Sequence, residues 1–401
     1  MKSATAVSYE LDDYAAAAEE LVAQIRSKLT FGKHTVAVLH GQPDMEIGKL
    51  SAAISGKLDC NVIGGTTAGA AMLTKEGYHE LAVALHVMSG DDCLFVCAIS
   101  DSIEKDAEKE IKNTYQAAYR NLKEQNPDAE PQMLICVLST VQSCSPDNIL
   151  TEISQICGNL PVFGYVSADD FEFCKQQVYL NGEIGDNRIA FLMLSGNIRP
   201  IFQVSNLSCR RTIEKQLVTK SHDNVICEIN GKPAYEYIKK FPFISDQTEV
   251  LWNYQFFVEM RNADSKEIFP VSRALNTYNK ETGEVICFAD VPQDSYIGLL
   301  YCDDKDVTVS TGMALKEFMD KLKAVDGRGY EYSTALIASC SLRNMFLADQ
   351  KDMEGNLIRD LFLPNLTVSG LYAFGEIAPT SINKGKAVNQ FHNATFTMCA
   401  F

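Results

Sequence analysis

Glu376 has the setting that most suggests chemistry. It is a carboxylate flanked by Gly375, just after an apolar stretch that ends at Tyr372, and it can accept hydrogen bonds from an ammonium group. Arg343 and Arg273 carry planar forks that pair bidentately with a carboxylate. Together the three would suit an amino acid; the alternative is a structural ion pair between Glu376 and one of the arginines. His392-Asn393 either orients a ligand or ties down a turn, and Tyr372 either stacks on a ligand or packs in the core. Cys340 with His392 as base would make a thiol-dependent enzyme, a reading ranked behind the binding ones because nothing in the spacing demands it. A haem would need an axial ligand, usually imidazole. His40, at a strand end, and His222, beside Asp223, are the candidates, each reading first as an ordinary histidine; cysteine ligation stays open.

Other enzyme motifs fail on spacing. His79-Glu80 is followed by His86 seven positions on, which is not the zinc-protease spacing. Gly64 to Gly69 has the spacing of a phosphate loop but continues into Ala70-Ala71, without lysine and a hydroxyl residue. Neither G-x-G-x-x-G nor G-x-S-x-G occurs.

The bulk composition narrows the function classes further. Thirty-six basic residues stand against 52 acidic ones, a formal net charge of -16, which argues against nucleic acid and against anionic lipid. No secretory signal opens the chain and no apolar run is long enough to cross a membrane, so a cytoplasmic protein is expected. The 13 cysteines include no C-x-x-C pair and sit mostly in apolar segments, as reduced cysteines acting as small hydrophobes do.

The elements that must position these residues recur. One unit, from about Tyr14 to Ser100, opens with a helix whose apolar positions are Tyr14, Ala18, Leu21, Ile25 and Leu29. A strand, Val36 to Leu39, follows, then a second helix with Ile47, Leu50 and Ile54. A strand at Val62-Ile63 runs into Gly64-Gly65-Thr66-Thr67, and two more strands close the unit. The same order returns from Ser102 to about Pro200, with Ser145-Pro146 as a helix start and Gly164 to Ser167 after its second inner strand. A looser third copy ends the chain: a strand Ala335 to Ser339, a strand Leu366 to Tyr372 running into Gly375-Glu376, and a last strand Phe391 to Phe401. Between copies two and three, Ile201 to Val309 reads as short strands with turns such as Asn230-Gly231 and Thr282-Gly283. The fold class is therefore α/β, built of repeated strand-helix-strand units with a strand-rich middle segment. In such sheets ligands gather beyond the carboxyl ends of the strands. The loops expected there are His40-Gly41, Ser139-Thr140 and Cys340-Ser341, with Gly64 to Thr67, Gly164 to Ser167 and Gly375-Glu376. Each glycine alone reads first as a turn residue.

Several of these stretches resemble a known family. Val62-Ile63-Gly64-Gly65-Thr66-Thr67-Ala68-Gly69 is similar to the signature strand and loop of the FIST N-terminal domain. Asn230-Gly231-Lys232-Pro233-Ala234, Arg273 and Phe288 to Pro292 resemble the FIST C-terminal part. So do Cys340-Ser341-Leu342-Arg343, Ser369 to Ile377 and His392-Asn393-Ala394-Thr395. The resemblance runs from about His34 to Phe401, and Gly370-Leu371-Tyr372-Ala373-Phe374-Gly375-Glu376-Ile377 is its most specific piece. Where the family more often has Gly between Cys340 and Arg343, this chain has Ser341 and Leu342. The resemblance implies a bacterial cytoplasmic sensory module rather than an enzyme, acting with a histidine kinase, chemoreceptor or cyclic-di-GMP enzyme. It also implies a small ligand such as an amino acid, or, as in some standalone members, haem that senses nitric oxide. On this reading residues 1–200 form the N-terminal domain with its duplication. Residues 201–401 form the C-terminal one, with 201–309 strand-rich and 310–401 the third α/β unit. The sequence ends just after the last motif, so the chain is expected either to act through a separate partner or to have been cut from a longer protein.

Overall fold

Three parallel strand pairs organise the molecule: His34–Gly41 with Asn61–Thr66, Pro131–Leu138 with Val162–Val166, and Thr334–Cys340 with Thr367–Ala373. Their side chains are buried on both faces, which is why they read as apolar runs rather than alternating patterns. The computed structural model describes the chain except residues 140–143, 159, 208–213, 242–243, 246–247, 249, 262–267, 327–329 and 384–385. Thr140, expected in a ligand loop, thus lies outside the described residues.

A parallel pair needs a crossover. The first two pairs are joined by the helices Ile47–Leu58 and Pro146–Cys157, the third by Ser341–Leu347 and Met353–Leu361. The Pro146 helix starts as its sequence dictates: Ser145 accepts the Asn148 N–H at 3.2 Å and proline takes the first helical position. Longer helices cover the sheets, burying Leu21 and Ile25 on the first, Ile111, Ala118 and Leu122 on the second, and Leu315, Phe318 and Leu322 on the third.

Each pair lies in a six-stranded mixed sheet. Beside the first strand of the pair runs an antiparallel strand, respectively Val83–Gly90, Ile189–Gly196 and Phe396–Ala400, and then an edge strand. Beside the second strand sits a hairpin that comes from elsewhere in the chain. The hairpin following pair one, Met72–Thr74 with Gly77–His79, joins sheet three. That following pair two, Val178–Leu180 with Glu183–Gly185, joins sheet one. That following pair three, Gly375–Asn383 with Lys386–His392, joins sheet two. The exchange closes in a ring.

Two expectations are corrected here. The last strand is not continuous from Phe391: the chain leaves sheet two at His392, turns through Ala394 at φ 54°, and enters sheet three at Phe396. Gly375 is not the counterpart of Gly64 and Gly164. Register sets Gly64 opposite Leu39, Gly164 opposite Cys136 and Gly370 opposite Ile337.

The middle segment forms a barrel. Strands Gln216–His222, Tyr296–Tyr301, Tyr254–Arg261, Ile268–Asn279, Glu284–Cys287 and Val225–Ile229 pair antiparallel in that order, and the last pairs back with the first. Its core holds Val218, Ile226, Phe256, Val271, Val285 and Ile297. Asn230 and Gly231 sit at φ 51° and 73°, the doubly positive pair of a tight hairpin turn.

Candidate ligand cleft

The carboxyl ends of the three parallel pairs meet and are tied to one another. Ala168 N donates to Thr66 O at 2.9 Å and Phe374 N to Val166 O at 3.0 Å. Tyr372 N donates to Thr67 Oγ1 at 3.0 Å, and that hydroxyl lies 3.1 Å from Tyr372 O. Thr66 Oγ1 accepts the Gln177 N–H. The hydroxyls of the two threonines expected to hold a ligand are thus taken up inside the protein, that of Thr66 within sheet one and that of Thr67 between sheets one and three. The glycines serve close packing as well. A Cβ on Gly64 would lie 1.9 Å from Leu39 O, on Gly164 2.1 Å from Cys136 O, and on Gly375 2.2 Å from the Phe391 ring. Ser167 is buried with its hydroxyl unpartnered, and Tyr372 is a core ring set edge-on to Tyr78.

Both arginines are fully buried and already paired with carboxylates of the chain, although Arg343 Nη1 has no partner. Arg273, on a barrel strand, donates from Nη2 to Asp147 Oδ1 at 2.8 Å, from Nε to Asp290 O at 2.7 Å and from Nη1 to Phe391 O at 2.8 Å. It clamps the barrel to the Pro146 helix and to the hairpin of sheet two. Arg343 donates to Glu354 Oε1 from Nε at 3.0 Å and from Nη2 at 2.9 Å, and to Thr311 Oγ1 at 2.6 Å. Neither arginine forms the expected ion pair with Glu376.

Glu376 is fully buried. Its Oε2 accepts from Thr395 Oγ1 at 2.6 Å and Thr395 N at 3.2 Å, and its Oε1 has no partner. Burial pushes the carboxyl up to about 8, so it is mostly protonated at neutral pH. His392 faces it across the hairpin. Burial, and then the charge of Arg273, push that imidazole down to about 3. The neutral ring donates from Nε2 to Ala378 O at 3.3 Å, which leaves Nδ1 a buried acceptor without a partner. Burial, and next the nearby Glu376, push the Cys340 thiol well above its ordinary value. A nucleophilic cysteine needs the opposite environment.

A cleft of about 370 Å³ opens where the end of sheet two, the start of the Ser341 helix and the barrel come together. Phe171, Phe173, Phe288, Phe374 and Phe391 line it. Phe173 stacks on Phe374 with centroids 4.7 Å apart and on Phe288 at 6.1 Å, while Phe171 stacks on Trp252 at 5.4 Å. Phe171 and Phe173 take φ 64° and 55°, uncommon for bulky side chains. The Asp169 carboxylate holds this turn by accepting from Phe173 N, Cys174 N and Lys175 N at 2.8–3.0 Å. The polar lining is neutral: Asn276, Ser341, Cys340 and Asn393. Asn276 Oδ1 accepts the Trp252 indole N–H at 3.2 Å, and Asn393 Oδ1 is buried with no partner.

Of the candidate site residues read from the sequence, Cys340 and Asn393 line the cleft, and so does Ser341 from the expected loop Cys340-Ser341. The aromatic wall was missed, although Phe171-Glu172-Phe173 beside Asp169-Asp170 is an apolar pair in an acidic loop, which is a detectable oddity. Neither haem candidate reaches the cleft. His40 is buried 3.4 Å from Tyr165 Oη and pushed down to about 3, and His222 lies on the barrel beside Cys227. Among the described residues no histidine lines the cleft, and the one lining thiol holds its proton, so these residues do not fit an axial haem ligand there. Among the described residues no group of three or more His, Cys, Asp or Glu side chains could hold a metal ion. No helix among them is long and apolar enough to cross a membrane.

The family model of the FIST N domain matches residues 35–232 and that of the FIST C domain residues 240–379. The chain belongs to the FIST family, whose domains are small-ligand sensory domains of signalling proteins. No curated protein matches it. Among solved structures it is similar to PurLQS from Thermotoga maritima at 11% identity and a TM-score of 0.21, over 99% of this chain and 72% of that one, a likeness too slight to carry an argument.

Proposed function

We propose that the chain is a cytoplasmic sensory module that takes a small molecule into the aromatic cleft and reports it to a signalling partner or output domain through the barrel. The cleft carries this reading: a ring-lined hollow at the carboxyl end of sheet two, with a buried amide oxygen on Asn393 that has no partner. The barrel supplies one wall, through Ala274, Asn276 and Phe288, and the sheets supply the other. An occupant therefore changes how the two bear on each other. The partner expected from the family is a bacterial histidine kinase, chemoreceptor or cyclic-di-GMP enzyme, and the free cysteines of the described residues suit a reducing compartment. The three sheets descend, in this reading, from one repeated unit, with residues 1–200 and 201–401 as the two family domains. An amino acid would find both arginines already paired with carboxylates of the chain, so the cleft favours a less charged ligand than the sequence suggested.

The test is a thermal-shift screen of small metabolites, amino acids and haemin, on the wild type and on Ala274→Phe, which fills the barrel side of the cleft. At least one compound should raise the melting temperature of the wild type and leave the variant unmoved. Ligands that stabilise both equally would remove the cleft from the reading.

A further inference from the structure

We infer that the cleft selects a flat, uncharged aromatic compound bearing an N–H donor, such as a neutral nucleobase or an aromatic amide. The inference rests on the sensory reading above and gives its ligand a chemical class. The shape comes from the walls. Phe171, Phe173, Phe288 and Phe374 already stack on one another or on Trp252, and ring faces reward a planar body in offset or edge-on contact. A hollow of about 370 Å³ is the right scale for one or two fused rings.

The charge requirement comes from what the lining lacks. Among the described residues no charged side chain lines the cleft. The buried charges nearest in the fold are consumed in the pairs Arg273–Asp147 and Arg343–Glu354. An ionised ligand would shed its hydration and meet no countercharge.

The donor requirement comes from the unpaired atoms. Asn393 Oδ1 is buried without a partner, and Asn276 Oδ1 takes the Trp252 N–H while keeping a second lone pair. A buried acceptor left unmade is costly, and a ligand N–H removes that cost whereas an isostere without hydrogen does not. Asn276 stands on the barrel and Asn393 at the end of the sheet-two hairpin, so one donor-bearing ring bridges the two bodies.

Trp252 is the single tryptophan of the chain, and it stacks on a cleft ring, so its fluorescence reports this site. The experiment titrates the full chain with two pairs: benzamide against benzoate, which differ in charge and in the N–H, and benzimidazole against benzoxazole, which differ in the N–H alone. Benzamide and benzimidazole should shift the emission saturably, with benzoate and benzoxazole about tenfold weaker or more. In Asn393→Leu, benzimidazole should fall to the level of benzoxazole while benzoxazole is unmoved; Asn393→Ser is the gentler variant if the first does not fold. Equal binding within either pair overturns the ligand class while the cleft stands. No saturable shift with any of the four also overturns the class. The sensory reading fails separately, if ligands found in the thermal screen bind Ala274→Phe as well as the wild type.

Discussion

Glu354 and Glu376 both belong to the third parallel unit and its hairpin, both have no solvent contact, and they are held in opposite ways. Glu354 accepts from Arg343, Thr311 and Ser339, so both its oxygens are engaged and its charge is balanced. Glu376 has Thr395 on one oxygen and nothing on the other, and it answers burial by keeping its proton. The first arrangement fixes the fold. The second leaves an adjustable group directly behind Cys340, which lines the cleft.

The largest expected effect comes from breaking the balanced site. Glu354→Ala strands a fully buried Arg343 and should cost about 3–5 kcal/mol in denaturant unfolding. A loss under about 1 kcal/mol would mean that the pair is not buried as described.

The second prediction concerns pH. Glu376 is raised from 4.5 to about 8, so the folded state binds the extra proton between those values. Its contribution is full below the unfolded value and is lost as pH rises through about 8. His40, His86 and His392, each pushed down to about 3, act in the opposite direction, chiefly below their unfolded value of 6.5. Their opposing rise fades only gradually above pH 6.5. The share of Glu376 is therefore read as the difference between wild type and Glu376→Gln over the window pH 6.5–8, where it should fall with pH by an amount on the order of 2 kcal/mol. Glu376→Gln should flatten that fall and be the more stable protein above it. Parallel wild-type and Glu376→Gln curves across the window would show that Glu376 ionises normally.

The smallest effect sharpens the contrast from the other side. Thr395→Val keeps the volume and removes the O–H that reaches Glu376 Oε2 at 2.6 Å. It should cost about 1 kcal/mol and carry the upper end of the pH-dependent fall to higher pH, since the charged form loses a donor. An unchanged upper end would mean that Thr395 does not hold the carboxylate.

Much of the local structure could be read directly from residues. Ser145-Pro146 starts a helix because a hydroxyl cap and a fixed φ both favour one, and Asn230-Gly231 turns because both residues tolerate positive φ. What stayed hidden depends on partners far along the chain. Thr67 meets Tyr372 across 305 positions and Arg273 meets Asp147 across 126, and no periodicity records either. The barrel closes through pairings that alternation cannot specify, and so its strands were legible while their ring was not. The stretch from Gly370 to Ile377 illustrates both halves. It read as the most specific motif, and the structure gives a reason: its first part lies in sheet three and its last part in sheet two, so eight residues serve two sheets.

The ring of exchanged hairpins also sets a timetable for synthesis. Sheet one has all its strands once residue 185 has emerged, whereas Met72–His79 must wait for Thr367–Ala373 before it gains its partner. At ordinary translation speeds that is roughly 15–60 s with an unpaired edge exposed on the nascent chain. Cutting the chain between the two family segments would make that wait permanent, because sheets two and three each draw strands from both sides of the cut.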